Sequence, residues 1–201
     1  MIGIIDYDAG NIRSVEKAMK YLGQDVCITR DRDTLLRADK VILPGVGSFG
    51  DAMNHLQEYG LVDVIHELTE LEKPFLGICL GLQLLFERSE ESPGVEGLGI
   101  LKGEILKIPE TEGLKIPHMG WNSLHLQNSG RLFKDIPENT YVYFVHSYYL
   151  QAEEEEIVKA TTQYSTCIHA SVEKGNVFAC QFHPEKSSRA GLQMLKNFAE
   201  L

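Results

Sequence analysis

The chain has 201 residues, with 19 Lys and Arg against 29 Asp and Glu, a formal charge of −10. Hydrophobic residues at 43% and charged residues at 24% describe a globular chain large enough to fold without disulfide or metal staples. The acidic excess excludes general binding to nucleic-acid phosphates or anionic membranes, which draws on clustered Lys and Arg.

MIGIIDY is a short apolar run and predicts a buried strand. Asp6 comes too early, without a basic stretch before it, for a signal peptide, and no apolar run is long enough to span a membrane. Asn11 is placed to cap a helix whose apolar face is Ile12, Val15, Met19 and Leu22, ended by Gly23. DVCITR and KVILP predict a second and a third strand, the latter stopped at Pro44-Gly45. From Ser48 to about Leu71 the pattern is helical, broken at Gly60. KPFLGIC predicts a fourth strand, followed by a helix from Leu80 to about Arg88. Strand–helix alternation of this kind predicts a parallel sheet covered by helices on both faces.

Near SEESPGVEG the composition shifts. The segment reads as a long loop inside one domain spanning 1–201, because neither half is large enough for a comfortable core of its own. Strand-like stretches then follow one another: IPHMGWNSLHL, TYVYFVHSYYL, IVKATTQ, CIHASVE and VFACQFH, the last two joined by a turn at Glu173 to Asn176. Glu153 to Glu156 reads as a solvated acidic turn. A last helix begins near Ser187, with Leu192, Leu195 and Phe198 on one face. The expected fold is α/β: a three-layer sandwich with a mostly parallel central sheet plus added antiparallel strands.

Cys27, Cys79, Cys167 and Cys180 form no C-x-x-C pair, so neither a zinc ribbon nor a dithiol motif is expected. Without an export signal they read as reduced thiols of a cytoplasmic protein. Cys79 lies in Gly77-Ile78-Cys79-Leu80-Gly81, where a predicted strand meets a predicted helix. Small residues on both sides permit the sharp turn of a nucleophile elbow. Such a turn sets the sulfur at a helix start and aims the Leu80 N–H at a reacting carbonyl. A lone cysteine is more often a core residue; the flanking glycines bring the nucleophile reading level with that one. The other three cysteines lack turn glycines and read as core or strand residues.

A thiol nucleophile needs a histidine, and the histidine an orienting acid. His183-Pro184-Glu185 supplies both, since residues i and i+2 of an extended segment project to the same side. His118 and His146 have no acid at i±2, His55 and His66 fall in helical patterns, and His125 and His169 lie in strand-like runs without an acid partner. The H-x-E of zinc deaminases requires a downstream P-C-x-x-C that is absent, so no metal is expected. Pro44-Gly45-Val46-Gly47 also follows a strand; it lacks the G-K-[ST] of a phosphate loop and fits a second source of oxyanion N–H groups.

PGVGSFG, GICLGLQLLFE and QFHPEKS together resemble the three-part signature of the class I glutamine amidotransferases, and the resemblance covers essentially the whole chain. IDYDAGNIRS, PHMGWN and YFVHSY narrow it to the members that serve histidine biosynthesis; Ala9 is a mild variation on their pattern. The resemblance implies a catalytic triad of Cys79, His183 and Glu185, with oxyanion donors at Leu80, Val46 and Gly47. It implies contacts to substrate glutamine from Gly47, Gln83, Ser147 and Tyr148. Asn11, Pro117, His118, Met119, Gly120, Trp121, Asn122 and Lys186 would lie toward a partner, a (β/α)₈-barrel cyclase subunit bound as a heterodimer. No cofactor is implied. The implied reaction is glutamine hydrolysis through a Cys79 thioester, with ammonia passed to the cyclase, which makes imidazole glycerol phosphate and AICAR. Nothing in the chain resembles an ammonia acceptor site, which again points to a separate subunit. Three other readings compete: a glutaminase serving a different synthase, a free-standing cysteine hydrolase of similar architecture, and a degenerate binding subunit. PHMGWN and FVHSYY speak against the first, and the intact Cys-His-Glu set against the third.

Overall fold

A computed structural model describes all 201 residues. The strands are β1 (Ile2–Ile5), β2 (Val26–Thr29), β3 (Lys40–Leu43), β4 (Phe75–Ile78), β5 (Arg88–Ser89), β6 (Gly103–Lys107), β7 (His118–Ser123), β8 (His125–Leu126), β9 (Tyr141–His146), β10 (Tyr148–Ala152), β11 (Val158–Tyr164), β12 (Thr166–Lys174) and β13 (Val177–Cys180). The helices are α1 (Ile12–Tyr21), α2 (Arg32–Arg37), α3 (Phe49–Glu58), α4 (Leu61–Glu70), α5 (Leu80–Leu84) and α6 (Ser188–Ala199).

Eight strands form the main sheet in the order β2-β1-β3-β4-β13-β12-β11-β8. The pairs from β2 to β13 are parallel, and those from β13 to β8 antiparallel. Each parallel strand sends alternate residues to opposite faces. In β3, Val41 and Leu43 join the core under α2, α3 and α4, while Ile42 joins the core under α1 and α6. That is the expected three-layer sandwich. The N- and C-terminal halves meet inside the sheet, where β4 pairs β13 in parallel. Two smaller sheets stand beside it: β10-β6-β5, and a ribbon of β7 against β9.

The helical stretch from Ser48 divides as expected, with Ser48 capping α3 and Gly60 at φ 65° opening α4. Three local expectations fail. Asn11 sits at φ 70° and makes no capping bond; its side chain is used elsewhere. The helix after Cys79 ends at Leu84 rather than near Arg88, because Leu98, Leu101, Gly99 and Gly97 donate to the carbonyls of residues 84 to 87 and pull the chain into β5. The SEESPGVEG stretch is a loop between β5 and β6, and just beyond it Leu98, Leu101 and Ile105 belong to the larger core cluster. Finally α2, capped by Asp31 through the Thr34 N–H at 2.8 Å, was not expected at all.

Candidate active site

Pairing β4 with β13 brings their C-terminal ends side by side, so Cys79 and residues 181–185 arrive at one sheet edge. Cys79 follows β4 directly, and its N–H donates to the Cys180 carbonyl at 2.8 Å. Its backbone lies at φ 54°, ψ −106°, a conformation that costs an L-residue about 1–3 kcal/mol. The flanking glycines permit it by close approach. A Cβ on Gly81 would lie 1.9 Å from the Leu43 carbonyl oxygen, and one on Gly77 2.7 Å from that of Gly81. The G-x-C-x-G pattern is thus a space requirement at the junction of β3, β4 and α5.

His183 is fully buried. Its N–H donates to Tyr143 O at 2.9 Å, and its carbonyl accepts from Ser187 Oγ at 2.6 Å. Residues 184–186 form a 3₁₀ turn rather than an extension of the strand. That turn swings Glu185 back so that its Oε1 meets His183 Nδ1 at 2.8 Å, both side chains wholly excluded from solvent. Asn11 Nδ2 donates to the same Oε1 at 2.5 Å, which is where the expected helix cap went. Nε2 of His183 has no hydrogen-bond partner. Burial by itself pushes this imidazole toward neutrality; Cys79 and Glu185 outweigh it and raise its pKa to about 9. Cys79, His183 and Glu185 are therefore brought together, with one ring nitrogen fixed by the acid and the other left for the thiol.

The thiol opens into a cleft of about 320 Å³ that includes Gly47, Gln83, Ser147 and Tyr148, the residues assigned above to glutamine. A larger cleft of about 740 Å³ around Arg131, Lys134 and Lys159 holds no cysteine, histidine or predicted site residue, so chemistry selects the smaller one. Two residues of this site escaped the sequence analysis. Glu91 lines the cleft and accepts the Phe49 N–H at 2.8 Å. Gln181, fully buried, points its Nε2 at the Cys79 sulfur (3.7 Å) while its Oε1 accepts from Gln83 Nε2 (3.0 Å). Its signal was available: Gln181 stands two positions before His183 at the end of the same strand. No group of three or more His, Cys, Asp or Glu is arranged to hold a metal.

The expected oxyanion donors do not converge. Leu80 N–H donates to the Gly45 carbonyl at 3.3 Å. In a planar trans peptide the N–H points opposite to the C=O. With Gly45 O turned toward Leu80, the Val46 N–H of the same peptide points away from it. Gly47, at φ 113°, lines the cleft beside them.

The β7–β9 ribbon separates the residues assigned to a partner. Met119 and Trp121 face solvent, 62% and 52% exposed, next to Tyr141, and Trp121 lies edge-on to Tyr143. Gly120 holds φ 125° between them, Asn122 is half-buried, and Pro117 and Lys186 are exposed. His118 is the exception. Period-2 alternation turns it inward, where it is 3% exposed and stacked between Phe144 and Tyr164, so it supports the ribbon from behind.

The family model for "Glutamine amidotransferase class-I" matches residues 3–201. Curated relatives align end to end. The "Imidazole glycerol phosphate synthase subunit HisH" of Moorella thermoacetica is 54% identical over 100% of this chain and 94% of its own. "Imidazole glycerol phosphate synthase subunit HisH 1" of Methanococcus maripaludis is 47% identical over the full length of both. Among solved structures, one described as a glutamine amidotransferase superposes with a TM-score of 0.77 at 21% identity, covering 99% of this chain and 97% of that one. The glutaminase domain of Trypanosoma brucei CTPS, with bound acivicin, superposes at 0.68 and 18%, covering 99% and 93%. At these identities the structural likeness speaks for the fold. Over nearly its whole length, this chain belongs to the class I glutamine amidotransferase family.

Proposed function

We propose that this chain is the glutaminase subunit of an imidazole glycerol phosphate synthase, a cytoplasmic enzyme of histidine biosynthesis, with residues 1–201 acting as one domain. End-to-end relatives that carry that subunit's name support the assignment. The single observation that carries the chemistry is a buried histidine fixed by a carboxylate through one ring nitrogen, its other nitrogen free, beside a cysteine on a strained turn.

Glutamine enters the cleft with its ammonium toward Glu91 and its side-chain amide at Cys79. Gln83, Ser147 and Tyr148 fix its orientation. The Cys79 sulfur attacks the amide carbon, forming a C–S bond while the carbonyl electrons move to oxygen. Leu80 N–H meets that oxygen once the Gly45–Val46 peptide rotates, which frees the Leu80 donor and brings the Val46 N–H alongside. Collapse breaks the C–N bond as His183 Nε2 gives its proton to the departing nitrogen, releasing ammonia and leaving a glutamyl thioester. His183 then takes a proton from water, which adds to the thioester. Breaking the C–S bond yields glutamate and the restored thiol. Ammonia passes to a cyclase subunit docked on the Met119–Trp121 face, where imidazole glycerol phosphate and AICAR are made. Aromatic and Met side chains exposed together suit such an interface.

Ammonia release from glutamine, measured with and without the cyclase and its nucleotide substrate, tests the proposal. The expected result is slow release alone and strong stimulation in the complex. Peptide cleavage without glutamine hydrolysis, or no 1:1 complex under any ligand condition, would overturn it.

A further inference from the structure

Beneath the exposed ribbon lies a second set of buried histidines that the hydrolysis itself does not use. Asn122 Nδ2 is 3.3 Å from His118 Nε2, His118 Nδ1 is 3.0 Å from His146 Nε2, and His146 Nδ1 is 2.7 Å from the Tyr148 carbonyl. The direction of every bond is forced. A carbonyl only accepts, so His146 Nδ1 carries the proton. A neutral His146 then has a bare Nε2, which must accept from His118 Nδ1–H. His118 Nε2 is bare in turn and accepts from Asn122. Both rings are neutral, because burial draws their pKa values down to about 4 for His118 and about 3 for His146.

The Tyr148 carbonyl at the inner end is shared. It also accepts from Gln83 Nε2 at 3.1 Å, and the same Gln83 nitrogen donates to Gln181 Oε1. That bond settles which way the Gln181 amide faces: Oε1 toward Gln83 and Nε2 toward the Cys79 sulfur. The amide N–H of Gln181 therefore faces the sulfur that attacks the substrate.

We infer that His118 and His146 are positioning residues for the nucleophile. They form a one-way run of hydrogen bonds from Asn122 on the ribbon to the Tyr148 carbonyl, and Gln83, which donates to that same carbonyl, holds the Gln181 amide against Cys79. The inference rests on the glutaminase reading and adds a route by which an event at the ribbon reaches the thiol. Two-way arrangements are absent from it: each member has one tautomer or amide orientation compatible with its neighbours.

Two measurements test it. ¹⁵N NMR of the imidazole nitrogens in the full chain should show both His118 and His146 as the Nδ1–H tautomer, the less common form of free histidine; an Nε2–H tautomer at either ring would overturn the inference. The second is kinetic, on the complex with the cyclase. His118→Phe keeps the aromatic stacking and removes both ring nitrogens. His118→Asn keeps a donor where Nδ1 stands. His118→Phe should lower kcat for glutamine about tenfold, within the range of such couplings, with KM changed less than about threefold, and His118→Asn should recover most of the loss. An unchanged kcat in His118→Phe, or equal losses in both variants, would overturn the inference. Failure of the glutaminase reading is a separate result: glutamine hydrolysis that survives Cys79→Ala.

Discussion

Three buried histidines, His183 on one side and the pair His118 and His146 on the other, lie behind one cleft, and burial treats them alike while their neighbours do not. His183 meets a carboxylate at 2.8 Å and a thiol, and its pKa rises to about 9. His146 meets a carbonyl and another imidazole, and its pKa falls to about 3. Desolvation favours the neutral ring in both places; an acceptor that bears charge reverses the outcome and a neutral acceptor does not. One fold thus keeps a cation for proton transfer and a neutral pair for positioning, by choice of partner alone.

The harshest way to break this contrast is to remove the thiol. Cys79→Ala should lower glutamine hydrolysis about 10⁴-fold or more in an ammonia-release assay, since a triad acts as a unit. Glu185→Gln removes the charge and should convert His183 toward the behaviour of His146. We expect a loss of about 10²–10⁴ in kcat, with the alkaline limb of the rate profile moved to lower pH because the imidazolium is no longer held. Trp121→Ala leaves both histidine groups alone. It should weaken cyclase binding about 10–100-fold by calorimetry, as an exposed aromatic anchor does when truncated, with the thermal midpoint of the free subunit unchanged.

The mildest effects belong to stability. The raised pKa of His183 contributes stability that is present below about pH 6.5 and fades as pH climbs through about 9. The lowered pKa values of His118 and His146 act at the other end. Above about pH 6.5 they are silent, and stability is lost as pH falls from there toward 4 and then 3, because the unfolded chain takes up protons the folded one refuses. Urea midpoints across this span should trace a plateau with two shoulders. His118→Phe should soften the acid shoulder and Glu185→Gln the alkaline one; identical profiles in all three proteins would refute the assignment of charge states.

Much of this was legible in the sequence where one rule acts locally. G-x-C-x-G declared a junction too tight for side chains, and His183-Pro184-Glu185 put an acid within reach of an imidazole. The family resemblance placed Met119 and Trp121 toward a partner, and period-2 alternation in the β7 strand puts them on one face. The same alternation required His118 to point inward, but a resemblance carried over as a continuous stretch concealed it. Asn11 had the composition and position of a cap, and only the fold reveals the competing carboxylate from the far end of the chain, 174 positions away. The short α5 has the same kind of cause: carbonyls claimed by residues 97–101, a distant pairing that helical periodicity does not record. Glu91 went unseen because a role that consists in facing another side chain leaves no spacing signature, whereas Gln181, two positions before His183, had one that an acid-centred search passed over.

The carbonyl of Gly45 resting on the Leu80 N–H has a consequence at the scale of the cell. Free ammonia in water becomes ammonium and ceases to be a nucleophile, so a glutaminase that ran unattended would drain glutamine to no purpose. In the proposed mechanism that peptide plane occupies the site of the coming oxyanion, which would keep nitrogen stored as glutamine until an acceptor is in place. On that mechanism synthesis of the two subunits would not need to be matched, because surplus copies of this one would stand idle.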